Sequence, residues 1–410
     1  MRALKILLLS NYFPPEVGSG PHLPFELGES LVKAGHQVTV VTGFPRYNVP
    51  VMPVEYRRRL FSEERAGGMR VLRINAPNVY GKRMLSRGLV QLLAPPVLAL
   101  RALPVARPDV VYTITPPLMM GVVAHLLATR FRVPCVVNVQ DLFPRTLIDL
   151  GMLRSRALIR LFEAMERYVY RSATTITVMS DGNREHVLAR GGDPRKVHVV
   201  ANWVDTDLIR PAQRINEFRR AYGLGDEFVV LFAGTMGFFQ GLDTVIQAAR
   251  RLVDQPKLLF LMVGDGAERP KLEAQADGLP NLRFLPMQPK EVYPQVLAAA
   301  DVCLATLHPA ATTPTVPSKI CTIMAAGRPV LASLPPGDAP RLVCDAECGI
   351  VTPAGDPQAL ASAIIRLSQD PEATQRMGEN GRQYAEHHFS RRVCTGQIEE
   401  IFQQLSGRRR

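Results

Sequence analysis

Lys319 is the residue whose neighbours best equip it for chemistry. It lies in TVPSKICTIM, beginning at Thr315, where Pro317 stiffens the approach, Ser318 is a natural N-cap and Lys319 falls in the first turn of the following helix. Free N–H groups at a helix N-terminus, with a lysine beside them, make a cradle for a phosphate or diphosphate. A second anion-binding pattern is Gly234-Thr235-Met236-Gly237 with Gln240-Gly241, and a third is Gly18-Ser19-Gly20. Each of these turns follows a short apolar run (Val229 to Phe232; Lys5 to Leu9) and leads into an amphipathic helix. Backbone N–H groups and helix dipole then point at one place. Asp141 directly follows the apolar run Cys135–Val139. It could bind a hydroxyl or take a proton from one, or cap the next helix. The eight histidines do not cluster and no carboxylate pair has metal-ligand spacing, so neither a catalytic metal nor a cofactor is expected.

The elements that position these residues alternate. In the first half, residues 5–10, 37–42, 71–74, 110–114, 135–139 and 175–178 read as short buried strands, with helices over 22–34, 158–170 and 181–190. Residues 46–68 read as a mobile loop. In the second half, strands at 229–233, 258–263, 282–285, 301–305 and 329–333 alternate with helices at 241–253, 268–276, 291–298, 318–326 and 357–368. Such alternation means parallel sheets with right-handed crossovers. The pattern breaks at 201–211, so a domain of 1–205 and a domain of 206–388 are expected. A last helix within 389–410 has no partner in the second sheet and returns to the first domain.

The chain has 410 residues, too many for one core. Residues 1–190 carry 25 Lys and Arg against 13 Asp and Glu, and residues 191–410 carry 24 of each, so the whole net charge of +12 lies on the first half. That asymmetry favours an anionic partner there: a phosphorylated substrate, acidic lipid or nucleic acid. Only one Trp and no aromatic platform accompanies the charge, which argues against specific nucleic-acid binding. The six cysteines show no metal spacing and read mostly as buried thiols of a reducing compartment. MRALKILLLSNYFPP reads as a first strand rather than a signal peptide, giving a cytoplasmic expectation. Residues 82–107 are apolar, basic and broken by Pro95, Pro96 and Pro104; they suit peripheral contact with an anionic membrane, or a core helix under the first sheet, rather than a span.

These motifs taken together resemble the retaining glycosyltransferases of family 4. The resemblance runs through FPPEVGSG, GHQVTVVTGFPRY, VQDLFPRT, VVANWVDTDLIRP, AGTMGFFQGLDTVIQAA, FLMVGDG, TPTVPSKICTIMAAGRPVLAS and CGIVTPAGDPQALASAI, in the family's order and over nearly the whole length. The QGLD and VPSK forms are most like the subgroup that builds cell-surface polysaccharides, such as colanic-acid and fucosamine transferases. The resemblance implies the GT-B fold of two facing Rossmann-like domains, with parallel sheets and a C-terminal helix returning to the first. It implies transfer of a sugar, with retention, from a nucleotide diphosphate sugar (a UDP-sugar) to a lipid-linked or glycan hydroxyl.

On that likeness the donor contacts are Gly18, Ser19, Gly20, Gly234, Thr235, Met236, Gln240, Thr315, Pro317, Ser318, Lys319 and Thr322. Met287 and Gln288 stand on the loop that reads the base, and Asp141 and Lys319 serve catalysis. The chain departs from the family where Thr235 and Gln240 replace an Arg and a Lys, and where Pro314 and Thr322 replace two Glu. Competing readings are a nucleotide-sugar epimerase on the same frame, which needs acids and bases that are scarce here, and a non-enzymatic sugar- or nucleic-acid-binding protein.

Overall fold

The computed structural model describes residues 2–16, 19–46, 49, 52–76, 84–149, 151–311, 314 and 316–407, the side chains of 19 and 84–91 excepted. It divides into two compact units, Met1–Asn202 with Cys394–Arg410, and Trp203–Val393.

The first unit carries β1 (Lys5–Leu9), α1 (Ser19–Lys33), β2 (Gln37–Gly43), β3 (Phe61–Ala66), β4 (Met69–Ile74), α2 (Met84–Ala102), β5 (Val110–Thr115), α3 (Leu118–Phe131), β6 (Cys135–Val139), α4 (Arg145–Asp149), α5 (Arg156–Ser172), β7 (Thr175–Val178), α6 (Asp181–Ala189) and β8 (Val197–Val199). Its sheet runs β3-β4-β2-β1-β5-β6-β7-β8, parallel except for β3 against β4. The central strands are buried apolar runs because helices cover both faces, whereas the edge strand β3 is half exposed along its length. Leu7, Leu9, Val111, Val137 and Ile176 meet Leu98 of α2 and Val123 and Leu127 of α3 in one core.

The second unit carries α7 (Glu217–Ala221), β9 (Phe228–Ala233), α8 (Asp243–Arg251), β10 (Leu258–Val263), α9 (Arg269–Gln275), β11 (Leu282–Leu285), α10 (Tyr293–Ala298), β12 (Val302–Thr306), α11 (Ser318–Ala325), β13 (Val330–Leu334), α12 (Asp338–Asp345), β14 (Gly349–Pro353), α13 (Pro357–Gln369) and α14 (Pro371–His388). Its parallel sheet runs β11-β10-β9-β12-β13-β14. The chain order reverses between β9 and β12, the place where ligands bind beyond the strands' carboxyl ends in doubly wound sheets.

The C-terminal helix α15 (Arg391–Gly407) runs into the first unit, as its lack of a partner in the second sheet implied. Phe402 packs edge-on to Tyr112 with ring centres 5.7 Å apart. His36 fixes it further: Nδ1 accepts from the Leu4 N–H at 3.1 Å, which leaves Nε2–H to donate to Glu399 at 3.0 Å.

Two expectations are corrected. Residues 46–68 are not one open loop: a 3₁₀ turn (Val54–Tyr56) and β3 lie within it, and β3 closes a hairpin on β4. Tyr56 donates to Glu64 at 2.8 Å, and Arg73 of β4 lies against both the Tyr56 and Phe13 rings, which anchors the segment. The helix expected at 22–34 begins three residues earlier, which places Ser19 and Gly20 inside its first turn.

Candidate functional site

β9 ends at Ala233, and the chain turns away through Gly234 with φ +139°, a conformation that L side chains rarely adopt. The space above Gly234 is taken by Lys319. A methyl group on Gly234 would lie 2.8 Å from Lys319 Cε and 3.2 Å from Nζ. The lysine comes from the N-terminus of α11, which follows β12, so the turn and the lysine meet where the chain order reverses.

The Lys319 ammonium has two partners within this unit. It donates to Gln240 Oε1 at 2.7 Å and lies 3.8 Å from the centre of the Phe232 ring. Burial pushes its pKa down to about 7, because the charged form loses water that neither partner fully replaces. A half-buried lysine whose pKa is lowered by desolvation, with a donor to spare, suits an anionic ligand.

Donors with no acceptor among the described residues lie in the same turn and at the same helix end. Among the described residues, no acceptor faces the N–H groups of Thr235, Gly237, Ser318 or Lys319, and the hydroxyls of Thr235 and Ser318 are unbonded. α11 has Pro317 rather than Ser318 as its N-cap, without a side-chain cap bond, so Ser318 stands inside the helix with its hydroxyl free. This corrects the capping role expected for Ser318, and it leaves the helix N-terminus open for a ligand.

The glycine turn is braced from below. Met236 N–H donates to the Asp265 carbonyl at 2.8 Å, and Glu268 N–H donates to the Met236 carbonyl at 3.1 Å. Arg269 ties this second turn to its neighbour by donating to the carbonyl of Gly264 at 2.8 Å. Met236 itself is corrected: its side chain is fully buried in the core and its N–H is spent on Asp265, so it holds the loop and offers a ligand nothing.

The other expected residues fall as follows. Thr322 sits one turn into α11 and gives its hydroxyl proton to the Ser318 carbonyl at 3.1 Å, which leaves its oxygen able to accept. Met287 is exposed just beyond the carboxyl end of β11. Gln288 is engaged with the Tyr222 hydroxyl at 3.1 Å and the Pro286 carbonyl at 2.9 Å. Thr315 and Gly18 lie outside the described residues, as does the Ser19 side chain.

Gly20 belongs to the first unit. A methyl there would make an ordinary 3.5 Å contact with Tyr12, so no described neighbour requires glycine at this position. Asp141 also belongs to the first unit, just past the carboxyl end of β6, exposed and with no side-chain bond among the described residues. It caps no helix; α4 starts only at Arg145. Its neighbour Gln140 joins a polar chain with Asn138, at 2.6 Å, and Asn202, at 2.8 Å.

Three residues of the second unit escaped the sequence reading. Phe232 looked like any core residue of a buried strand, although it underlies the lysine. Phe238 and His308 stack with ring centres 4.6 Å apart on either side of the sheet's reversal point. The doubled Phe238-Phe239 directly before Gln240-Gly241 was the available signal, since two aromatics in a turn have no core to enter.

Comparison with known proteins accords with this geometry. The Glycosyl transferase 4-like domain family matches residues 21–203, and the Glycosyl transferases group 1 family matches residues 227–370. The chain is 30% identical over 299 residues to a Pseudomonas aeruginosa protein described as a probable glycosyltransferase, WbjE, covering 72% of this chain and 74% of that one. It is 28% identical over 339 residues to WcaI of Escherichia coli, described as a colanic acid biosynthesis glycosyl transferase, covering 79% and 82%. In fold it is similar to HepE of Anabaena, solved in complex with UDP, with a TM-score of 0.74 at 20% identity over 98% of this chain and 100% of that one. With two parallel-sheet Rossmann-like units of the GT-B class and both domain families in order, the chain belongs to the family 4 retaining glycosyltransferases.

Proposed function

We propose that this glycosyltransferase moves a sugar from a uridine diphosphate sugar to a hydroxyl of a glycan or lipid-linked acceptor in the assembly of a cell-surface polysaccharide. The observation that carries the reading is Lys319: a half-buried ammonium beside a glycine turn and an open helix N-terminus, at the reversal point of the sheet. Uridine is favoured by the UDP complex of HepE, and polysaccharide assembly by the description of WcaI.

Residues 206–388 hold the donor in this reading, and residues 1–205, with the returning helix, hold the acceptor. The protein's task is to stabilise the departing diphosphate. Lys319, the N–H groups of Thr235 and Ser318, and the dipole of α11 supply positive potential where negative charge develops. Asp141 accepts the acceptor's proton or holds its hydroxyl. An epimerase would need a second acid–base group at the sugar, and family membership favours transfer instead.

No helix among the described residues is long and apolar enough to cross a membrane. Peripheral contact with the inner face of the cell membrane is proposed for residues 82–107. Leu98 and Ala102 of α2 face the core, while Leu93, Leu100 and Leu103 are exposed; Lys82 and Arg83 lie outside the described residues. Arg101 is engaged with Glu63 at 3.7 Å and with the Phe61 ring, so it is less available to lipid than its sequence position implies.

Thermal shift with UDP, GDP and ADP tests the donor class, since a ligand stabilises by RT ln(1 + [L]/Kd). UDP should give the largest shift; no shift with any of the three would end the reading. NMR of a UDP-sugar incubated without acceptor separates epimerase from transferase, and sedimentation with phosphatidylglycerol vesicles against phosphatidylcholine vesicles tests the membrane contact.

A further inference from the structure

Resting on the reading above, we infer that Phe238 and His308 form a sugar-binding plate beside the diphosphate cradle. Phe238 opens the 3₁₀ turn Phe238–Gln240, and Gln240 is the acceptor of Lys319. The plate is therefore two residues from the proposed phosphate contact. It is also built, not accidental: His308 N–H donates to the Phe239 carbonyl at 2.8 Å, and Gly241 packs on the His308 backbone.

His308 stacks on one face of Phe238, at 4.6 Å and 30° between planes, yet Phe238 remains 54% exposed. Phe239 meets the same ring edge-on at 5.5 Å, and the part of the ring that stays exposed carries negative charge density on its face, which suits the C–H face of a pyranose ring. His308 adds a polar handle. Its Nδ1 accepts from the Ala310 N–H at 3.2 Å, so the neutral ring keeps its proton on Nε2, which has no partner among the described residues.

The segment joining β12 to α11, LHPAATTPTVP over 307–317, has no carboxylate or amide side chain. Recognition of a sugar ring by this segment's side chains falls to stacking, hydroxyl groups and N–H donation. Apolar and aromatic surface with a few placed polar groups is the usual composition of a small-molecule site. The ring recognised is a pyranose, from the donor or from the acceptor.

The full-length protein, as wild type and as Phe238→Leu, Phe238→Tyr and His308→Ala, is titrated by calorimetry with UDP, UDP-glucose and UDP-N-acetylglucosamine. The same variants, saturated with UDP, are titrated with p-nitrophenyl glycosides. A donor ring predicts that Phe238→Leu and His308→Ala weaken a UDP-sugar about tenfold, that UDP itself is unchanged and that Phe238→Tyr restores binding. An acceptor ring predicts the same pattern with the glycosides and unchanged UDP-sugar affinity. Leucine fills the turn as phenylalanine does, so a merely structural role predicts no loss. Normal UDP binding with every sugar affinity unchanged overturns the plate alone. Failure of the wild type to bind UDP overturns the donor reading and the plate with it.

Discussion

Nζ of Lys319 donates to Oε1 of Gln240 across 2.7 Å, so the site's central cation is held by a neutral amide. The choice of an amide matters. A carboxylate in its place would neutralise the lysine before any ligand arrived. Gln240→Glu should therefore raise the Lys319 pKa and stabilise the free protein at pH 7, because it supplies a half-buried cation with a counter-charge. It should also weaken UDP by tenfold or more, since the new carboxylate repels the diphosphate. Melting temperature and UDP affinity moving in opposite directions is the expected result; both falling together would contradict it.

Lys319 itself lowers the stability of the fold, because its ammonium is partly desolvated beside a neutral amide. Lys319→Met keeps the length of the side chain and its contact with Phe232 but removes the charge. The unliganded protein should melt about 3–6 °C higher at pH 7, as expected when a strained functional group is removed. Turnover should fall by about 10²–10³, the usual loss for one charge-stabilising donor. A variant that is both less stable and fully active would reverse this account.

The pH dependence follows from burial. In the free folded protein the Lys319 pKa is lowered to about 7, against 10.5 for an exposed lysine. Between about 7 and 10.5 the unfolded chain binds the proton and the folded chain does not, so stability rises with pH through that window; the penalty is complete below 7. Binding runs the other way. A diphosphate favours the charged lysine, so complex formation takes up a proton above pH 7 and affinity falls as pH rises. Calorimetry of UDP at pH 8 in two buffers of different ionisation enthalpy measures that uptake, which Lys319→Met should abolish.

The parallel strands were legible because two-sided burial writes them as unbroken apolar runs: all six residues of β10, LLFLMV, are buried. β3 was not, since FSEERA on an exposed edge has no apolar run; only the Gly67-Gly68 turn after it announced a hairpin. α14 was missed for a different reason. Gly378 and Gly381 look like breaks in a helical pattern, but Gly378 meets the carbonyl of Gly327 and Gly381 lies against Met324 where α14 crosses α11. In the site, the glycine turn and Lys319 could be read from residue type. Which turn residue points inward could not: Met236 goes to the core and Thr235 to solvent, a distinction set by the β10 turn beneath them.

Gly234→Ala separates fold from chemistry at the cradle. Alanine at φ +139° is strained, and its methyl group would stand 2.8 Å from Lys319 Cε, so either the turn or the lysine must shift. Strain of this kind costs about 1–3 kcal/mol, enough to lower the melting temperature measurably. The lysine is the easier part to move, being the far end of a flexible side chain. It would leave Gln240 and Phe232, and turnover should fall about 10–100-fold with the fold intact. A double-mutant cycle gives the decisive measurement. If Gly234 acts in catalysis only by making room for Lys319, then Gly234→Ala added to Lys319→Ala should cost no further turnover, whereas two independent contributions would multiply.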